Sequence, residues 1–333
     1  HADPKRSPRW DLLPVRVPAA AQHSKISLLA WERVVRLMVA SANLTEPGYR
    51  SNLEVFGCVD FREGANTTVD VLSAVTAFVR GMLGDYVTGN QAEPGPKKRA
   101  LALLGKIDDL ASGMALGSRR TTFQVVPLFG GAVANIRHGV LSWLKAEAER
   151  RGRPRSAVVV SPFFDNDDRQ AFRALEEVLL LQGDRRVDVV TNGVPIENGR
   201  TRLSAPQWMG SFRPGRLQIG LHRTLPEEGD EARRLHGKIL FLHREDGYSV
   251  AVVGSSNFTR AGLGLGAGPI NLEANLAYIC RDEGSSSRDL RKVIPTTEGP
   301  LDVAQIVFDP EVDPDADDTL LAILPAGFQE ALF

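Results

Sequence analysis

Two stretches of this chain alternate apolar and polar residues in the same order, and each ends in a turn of small residues. The first runs from His23-Ser24-Lys25 to Ala40-Ser41-Ala42-Asn43, and the second from His236-Gly237-Lys238 to Gly254-Ser255-Ser256-Asn257. Period-two alternation predicts half-buried strands, with the His and the Lys, two positions apart, on one strand face. Each stretch therefore predicts two neighbouring strands that present His, Lys, Ser and Asn together.

Elsewhere the apolar pattern predicts an alternation of helices and strands. Apolar residues recur at helical spacing over 67–87, 99–115, 133–152 and 168–183, and four helices are predicted there. Strands are predicted over 53–61, 117–131, 156–167 and 185–193, and the near-continuous apolar run of 156–167 predicts a strand buried on both faces. The strand–helix–strand order after residue 156 predicts an α/β fold with a mixed or parallel sheet flanked by helices.

Composition narrows the class of protein. The chain has 333 residues, 43% of them hydrophobic and 24% charged, which is ordinary for a globular protein with a large core. A formal net charge of −1 argues against a broad surface that coats nucleic acid, so any nucleic-acid site must be a local cleft. No apolar run reaches membrane-spanning length and no signal peptide is visible. We therefore expect a cytoplasmic protein without membrane contact.

The two cysteines add no metal or redox chemistry to the prediction. Cys58 and Cys280 both lie in apolar, strand-like runs and are expected to be buried thiols. Neither zinc-ligand spacing nor a disulfide framework is present. No cofactor and no metal ion is predicted.

The repeated residues carry the candidate chemistry. His to Ser spans 18 positions in the first copy and 19 in the second, and an Asn-Leu-Glu triplet follows each copy, ending at Glu54 and Glu273. A single His-x-Lys on a strand is a weak signal, but core packing does not explain the same order twice. Ammonium and carboxamide groups suit the oxygens of an anionic phosphodiester, and imidazoles suit nucleophilic attack and protonation.

In these motifs the chain resembles the phospholipase D superfamily, which pairs two His-x-Lys…Ser-x-Asn motifs. The resemblance implies a duplicated α/β fold of two mixed sheets flanked by helices, with the active site at a pseudo-twofold interface. It also implies a covalent phosphohistidine intermediate and no metal ion. Many members carry an Asp five residues after the Lys, where this chain has Ala30 and His243. That departure resembles the tyrosyl-DNA phosphodiesterase branch and some nuclease branches.

The resemblance also implies a role for each repeated residue. His23 is assigned as nucleophile and His236 as general acid, although the sequence is nearly symmetric and equally compatible with the reverse. The phosphate clamp is assigned to Lys25, Lys238, Asn43 and Asn257. Ser41 and Ser255 are expected to support the turns or donate a hydrogen bond, and Glu54 and Glu273 to orient the histidines.

The two copies define the predicted organisation. Residues 1–118 are predicted to form the first repeat and residues 119–333 the second. The second copy has a long lead-in from Ser156 to His236, whereas the first has only 22 residues before His23. We therefore expect that an additional N-terminal segment or a partner subunit supplies what the first repeat lacks.

The expected substrate is DNA, either single-stranded or at its ends, cleaved in nuclease or DNA-adduct repair chemistry. Arginines and aromatics over 197–226, a stretch that reads as a loop, resemble a single-stranded nucleic-acid groove, although a loop lying over its own core would look the same. Phe163 and Phe164 likewise either line a groove or pack. Alternatives are a phospholipase-type lipid phosphodiesterase and a nuclease subunit of a restriction or defence system. An idle scaffold is disfavoured, because both copies keep every reactive residue.

Overall fold

The protein was analysed as a computed structural model that describes residues 13–65, 67–87, 95–114, 123–131, 139–226, 233–244, 247–266, 270–281 and 293–311. These residues form four α-helices and fifteen strands. The helices are α1 (Val69–Asp85), α2 (Gly95–Gly113), α3 (Val140–Arg151) and α4 (Gln170–Val178). The strands are β1 (Ile26–Ala30), β2 (Val34–Ala40), β3 (Asn52–Leu53), β4 (Phe56–Arg62), β5 (Phe123–Gly130), β6 (Ser156–Val160), β7 (Arg185–Thr191), β8 (Gly193–Pro195), β9 (Thr201–Leu203), β10 (Leu217–Arg223), β11 (Arg234–Leu235), β12 (Ile239–Arg244), β13 (Tyr248–Gly254), β14 (Glu273–Arg281) and β15 (Ile306–Phe308).

A seven-stranded mixed sheet forms the larger layer. Its order is β10-β7-β6-β12-β13-β14-β5, with β10, β7 and β6 parallel and the remaining neighbours antiparallel. Helices α3 and α4 pack on one face through residues such as Leu144 and Phe172. The β6–α4–β7 segment confirms the predicted strand–helix–strand unit, because a parallel pair requires such a crossover.

A three-stranded sheet packs on part of the opposite face of the large sheet, against β13 and β14. Its strands run β1-β2-β4, all antiparallel. Alternate residues of β2 (Val35, Leu37 and Val39) point inward and pack with α1 and with Leu276 of β14. Helix α1 adds a stack of Phe78 on Phe129 of β5, with ring centroids 4.2 Å apart. Period-two burial on β2 thus joins the two copies into one core.

The two copies also exchange short strand segments. β11, immediately before His236, pairs in parallel with β3, so that Leu235 lies opposite Leu53. In the same way Gln22, immediately before His23, forms a parallel bridge with Leu272. The segment that leads into each histidine therefore pairs with the segment that leads into the other copy's glutamate.

The predicted α/β class is confirmed, with differences in detail. The smaller sheet is wholly antiparallel rather than mixed. Helix α2 begins at Gly95, ahead of its predicted start, because Pro96 suits the first turn of a helix. Helix α4 ends at Val178, where Leu179 turns extended. The predicted third helix begins at Val140, and residues 132–138 lie outside the described residues. Within the described chain, no helix has the length and apolar character needed to cross a bilayer.

Two expectations about side chains were wrong. Cys58 is exposed and Cys280 is half-buried, whereas both thiols were expected to be buried. Cys58 is exposed because alternation along β4 turns it to the outer face, while Gly57 and Val59 point inward. The stretch 197–226 is not one open loop, because it contains β9 and β10. Trp208 and Phe212 pack against Phe172 in the core, with ring centroids 5.3 and 6.2 Å from it. These two aromatics therefore do not line a groove.

The inward face of α1 is expected to carry much of the stability of the smaller layer. Leu72 of α1 is fully buried in the core that the helix shares with the small sheet. Leu72→Ala should therefore lower the free energy of unfolding by about 2–5 kcal/mol. Leu103→Ala on α2 is the matched control, because it makes the same change at an exposed helix position and should cost under about 1 kcal/mol. Chemical denaturation measures both, and equal losses would contradict the packing described.

Candidate functional site

His23 of the first copy is held by the glutamate of the second copy. Its Nδ1 lies 3.0 and 2.9 Å from the two carboxylate oxygens of Glu273. Its backbone N–H donates to Leu272 O at 2.9 Å, so the strand exchange fixes the main chain as well. His23 is 1% exposed and Glu273 is fully buried. The pair is therefore a desolvated contact between residues 250 positions apart.

His236 of the second copy is held by the glutamate of the first. Its Nδ1 lies 2.7 Å from Glu54 Oε1, and its backbone N–H donates to Leu53 O at 3.0 Å. The ring of Phe163 meets the imidazole edge-on, with centroids 6.2 Å apart. Phe163 and Phe164 are both buried, so packing is the role the structure shows for them. At 9% exposure, His236 is slightly more open than His23.

These contacts assign a tautomer to both imidazoles. An ionised carboxylate only accepts hydrogen bonds, so Nδ1 must carry the proton in each pair. In the neutral ring the lone pair is then on Nε2, the nitrogen that attacks or protonates a substrate. The glutamates were expected to orient the histidines, and in the structure each glutamate contacts the histidine of the other copy.

The surroundings keep both glutamates ionised. Burial opposes ionisation of Glu273, but the charge and hydrogen bond of His23, the charge of Lys25 and the Ser255 hydroxyl outweigh it and lower the pKa. Burial likewise opposes ionisation of Glu54, and His236, Ser41 and Lys238 together lower its pKa. Both carboxylates are therefore acceptors at neutral pH.

The two serines fix the carboxylates in equivalent ways. Ser41 Oγ donates to Glu54 Oε2, and Ser255 Oγ donates to Glu273 Oε2. Each hydroxyl oxygen also accepts a backbone N–H at 3.0 Å, from Val55 in one copy and Ala274 in the other. The expected supporting role of the serines is thus a hydrogen bond to the glutamate of their own copy.

The glycine that ends β13 allows a close approach of the neighbouring strand. At Gly254 a Cβ atom would lie 2.3 Å from Ala274 O, so the position admits only glycine without movement of β14. The atom closest to this position is therefore a backbone oxygen, that of Ala274. Ser255 follows directly and reaches Glu273 because β13 and β14 lie this close.

The lysine and the asparagine of the second copy are more deeply buried than those of the first copy. Lys238 and Asn257 are buried, and Lys238 Nζ lies 3.1 Å from His236 Nε2 and donates to His236 O at 2.7 Å. Lys25 and Asn43 are half-buried. Lys25 is close enough for its charge to act on Glu273, and Asn43 follows β2 just after Ser41. The site therefore opens more on the Lys25 and Asn43 side.

Two supporting residues received no role from the sequence. Asn52 Nδ2 donates to Glu54 Oε1, and Asn271 Nδ2 donates to Glu273 Oε1, both at 3.3 Å. The repeated Asn-Leu-Glu triplet was the signal that could have assigned them. Asn275 was also missed: its amide donates to Ser256 Oγ at 2.8 Å, and the first copy has no counterpart, because the equivalent position is Phe56.

Among the described residues, no group of three or more His, Cys, Asp or Glu side chains is arranged to hold a metal ion. In each His–Glu pair the imidazole Nδ1 lies within hydrogen-bond distance of a carboxylate oxygen, and Nε2 of His236 lies beside Lys238 Nζ.

Comparisons with known proteins agree with this geometry at the level of the fold. Two histidine variants of yeast tyrosyl-DNA phosphodiesterase match with a TM-score of 0.52, at 9% and 10% identity, over 78% of this chain and 68% of theirs. A third variant matches with a TM-score of 0.51 at 10% identity, over 80% of this chain and 68% of that one. No family model matches the chain, and no curated protein matches it. The chain therefore has the phospholipase D-like fold that the two motifs predicted.

The lowered pKa values predict how stability depends on pH. A carboxyl whose folded pKa lies below its ordinary 4.5 stabilises the protein fully above pH 4.5, and this contribution is lost as pH falls through the folded value. We expect the free energy of unfolding to fall on acidification below about pH 4.5, with a shallower fall in Glu54→Gln.

Urea unfolding at a series of pH values between 7 and 3 measures that slope. Glu63→Gln, which removes an exposed carboxylate in the turn after β4, is the control and should keep the wild-type slope. An unchanged slope in Glu54→Gln would contradict the ionised, hydrogen-bonded state of that carboxylate.

Proposed function

We propose that the protein is a metal-independent phosphodiesterase that cleaves DNA or a DNA adduct through a covalent phosphohistidine intermediate. The observation that carries the proposal is the pair of imidazoles, each held at Nδ1 by a buried or half-buried carboxylate of the opposite copy. Two such imidazoles supply the nucleophile and the acid that a two-step displacement requires. The fold shared with tyrosyl-DNA phosphodiesterase supports it.

In the first step His23 Nε2 attacks phosphorus. A P–N bond forms, the bond to the leaving oxygen breaks, and His236, which enters this step protonated on both ring nitrogens, donates its Nε2 proton to that oxygen and becomes neutral. The ring of His23 becomes positively charged, and Glu273, 2.9 Å from Nδ1, stabilises that charge. Full burial of Glu273 strengthens this interaction, because little water screens it.

In the second step the intermediate is hydrolysed. His236 now takes a proton from water, the resulting hydroxide attacks phosphorus, and the P–N bond breaks to regenerate neutral His23. Glu54 accepts the Nδ1 hydrogen bond of His236 in both steps, so that Nε2 is the nitrogen that first gives up and then takes up the proton. The phosphate oxygens are held by the clamp assigned from the sequence: Lys25, Lys238, Asn43 and Asn257.

Removal of each histidine tests the mechanism. We expect His23→Ala and His236→Ala to lower turnover of a DNA phosphodiester in EDTA by about 10³-fold or more. His243→Ala, whose ring bonds Ser249 on the outer part of β12, is the control and should retain activity. Mass spectrometry of peptides quenched and kept at alkaline pH, which preserves the P–N bond, should find the phosphoryl-linked part of the substrate on His23, and the same adduct on His236 in the His23→Ala protein would reverse the assigned roles.

A substrate panel tests the substrate class. In EDTA we expect cleavage of a 3′-tyrosyl oligonucleotide or of plain DNA, and no cleavage of a phosphatidyl substrate in vesicles. Plasmid cleavage would favour a nuclease over an end-processing enzyme. Turnover restricted to the lipid would overturn the DNA assignment, and no turnover of any substrate would overturn the proposed activity.

A further inference from the structure

The similarity of the two copies continues past the motif asparagines. The first copy reads Asn43-Leu-Thr45-Glu-Pro-Gly48-Tyr49, and the second reads Asn257-Phe-Thr259-Arg-Ala-Gly262-Leu263. A threonine therefore stands two positions after each Asn, a glycine five positions after it, and a large apolar residue six positions after it. The roles derived so far do not use these residues.

In the second copy the seven residues close into a tight turn on the asparagine. Gly262 N–H donates to Thr259 Oγ1 at 3.1 Å, and Leu263 N–H donates to Thr259 O at 3.0 Å. A Cβ atom at Gly262 would lie 2.6 Å from Asn257 O and 3.1 Å from Asn257 N. The glycine thus packs directly on the backbone of the asparagine, and the threonine hydroxyl holds it there.

The first copy repeats this turn with longer contacts. Gly48 N–H approaches Thr45 Oγ1 at 3.4 Å, and Tyr49 N–H donates to Thr45 O at 3.2 Å. A Cβ atom at Gly48 would lie 2.3 Å from Asn43 O. Because backbone atoms form this close contact in both copies, neither glycine can be replaced without moving its asparagine.

The two turns differ in how they are anchored. Phe258 and Leu263 are buried in the core, and Phe258 lies 4.9 Å from Phe172 between ring centroids. At the equivalent positions Leu44 is 82% and Tyr49 is 69% exposed. The turn behind Asn257 is therefore fixed from both sides, whereas the turn behind Asn43 depends on its own hydrogen bonds.

From this repeated geometry we infer that Thr259 and Thr45 are positioning residues for the phosphate-binding amides of Asn257 and Asn43. Each acts through its glycine, which sets the backbone of the asparagine. The inference rests on the proposed function, because it names the amides as the groups that meet phosphate. Displacement of such a group by a fraction of an ångström weakens transition-state binding far more than it weakens folding.

The test replaces the threonine hydroxyl with a methyl group and keeps the branched shape of the side chain. We expect Thr259→Val to lower kcat about 10- to 100-fold with KM changed less than about threefold, and Thr259→Ser to restore most of the loss. Thr76→Val is the matched control: it removes a buried hydroxyl that bonds Ser73 O and Asp108 between α1 and α2, and it should leave kcat unchanged. Thr45→Val should lower kcat less, because its contact is longer.

A double-mutant cycle separates positioning from general destabilisation. If Thr259 acts through Asn257, Thr259→Val should cause no further loss of kcat in an Asn257→Ala background. Additive losses, or a loss in Thr76→Val equal to that in Thr259→Val, would overturn the inference. If Thr259→Val does not fold, the same cycle with Thr45→Val and Asn43→Ala decides the question.

Binding of inorganic phosphate, measured by calorimetry on the same variants, keeps this inference distinct from the proposed function. If the protein hydrolyses a diester but the losses of kcat in the double-mutant cycle are additive, the phosphodiesterase proposal stands and the positioning role is overturned. If the protein hydrolyses no diester but the losses of phosphate affinity in the same variants are non-additive, the positioning role is supported and the proposed activity is overturned. A wild-type protein that neither hydrolyses a diester nor binds phosphate overturns both.

Discussion

An imidazole from one copy of the motif and a carboxylate from the other form the contact on which the rest of the structure depends. Glu273 is fully buried, and a buried carboxylate is tolerated only when charge and hydrogen bonds compensate its lost hydration. His23, Ser255 and Asn271 provide that compensation directly, and Lys25 adds its charge. Removing one partner of such a buried pair typically costs about 3–5 kcal/mol, so the site and the fold are stabilised by the same contacts.

The crossed pairing also explains the arrangement of the sheets. Each histidine reaches the opposite glutamate because the residues before it pair with the opposite strand, as Leu235 does with Leu53. That exchange requires the small sheet to lie against β13 and β14, where its inward residues complete a shared apolar core. Neither copy contains a complete His–Glu pair of its own. Each His–Glu pair therefore requires both copies, whatever the depth to which each copy is buried.

The copies are nevertheless unequal, and the inequality has a physical origin. The second copy lies within the seven-stranded sheet, with α3 and α4 behind it, so Lys238, Asn257 and Phe258 are buried. The first copy lies in a three-stranded sheet, where Lys25 and Asn43 are half-buried and Leu44 is exposed. The second copy's side of the site is therefore more enclosed than the first copy's side.

The sequence by itself determined the fold class and most element positions, and it supplied the residues proposed for the site. These follow from local periodicity and from a repeated order of residues, as the strands that end just before Ser41 and Ser255 illustrate. Only the tertiary structure decided that Glu54 serves His236 and Glu273 serves His23, that Cys58 faces outward, and that Trp208 and Phe212 pack inside. The reason is that pairing and burial depend on which distant segments meet in space, and a local pattern of apolar residues is the same whichever partner covers it.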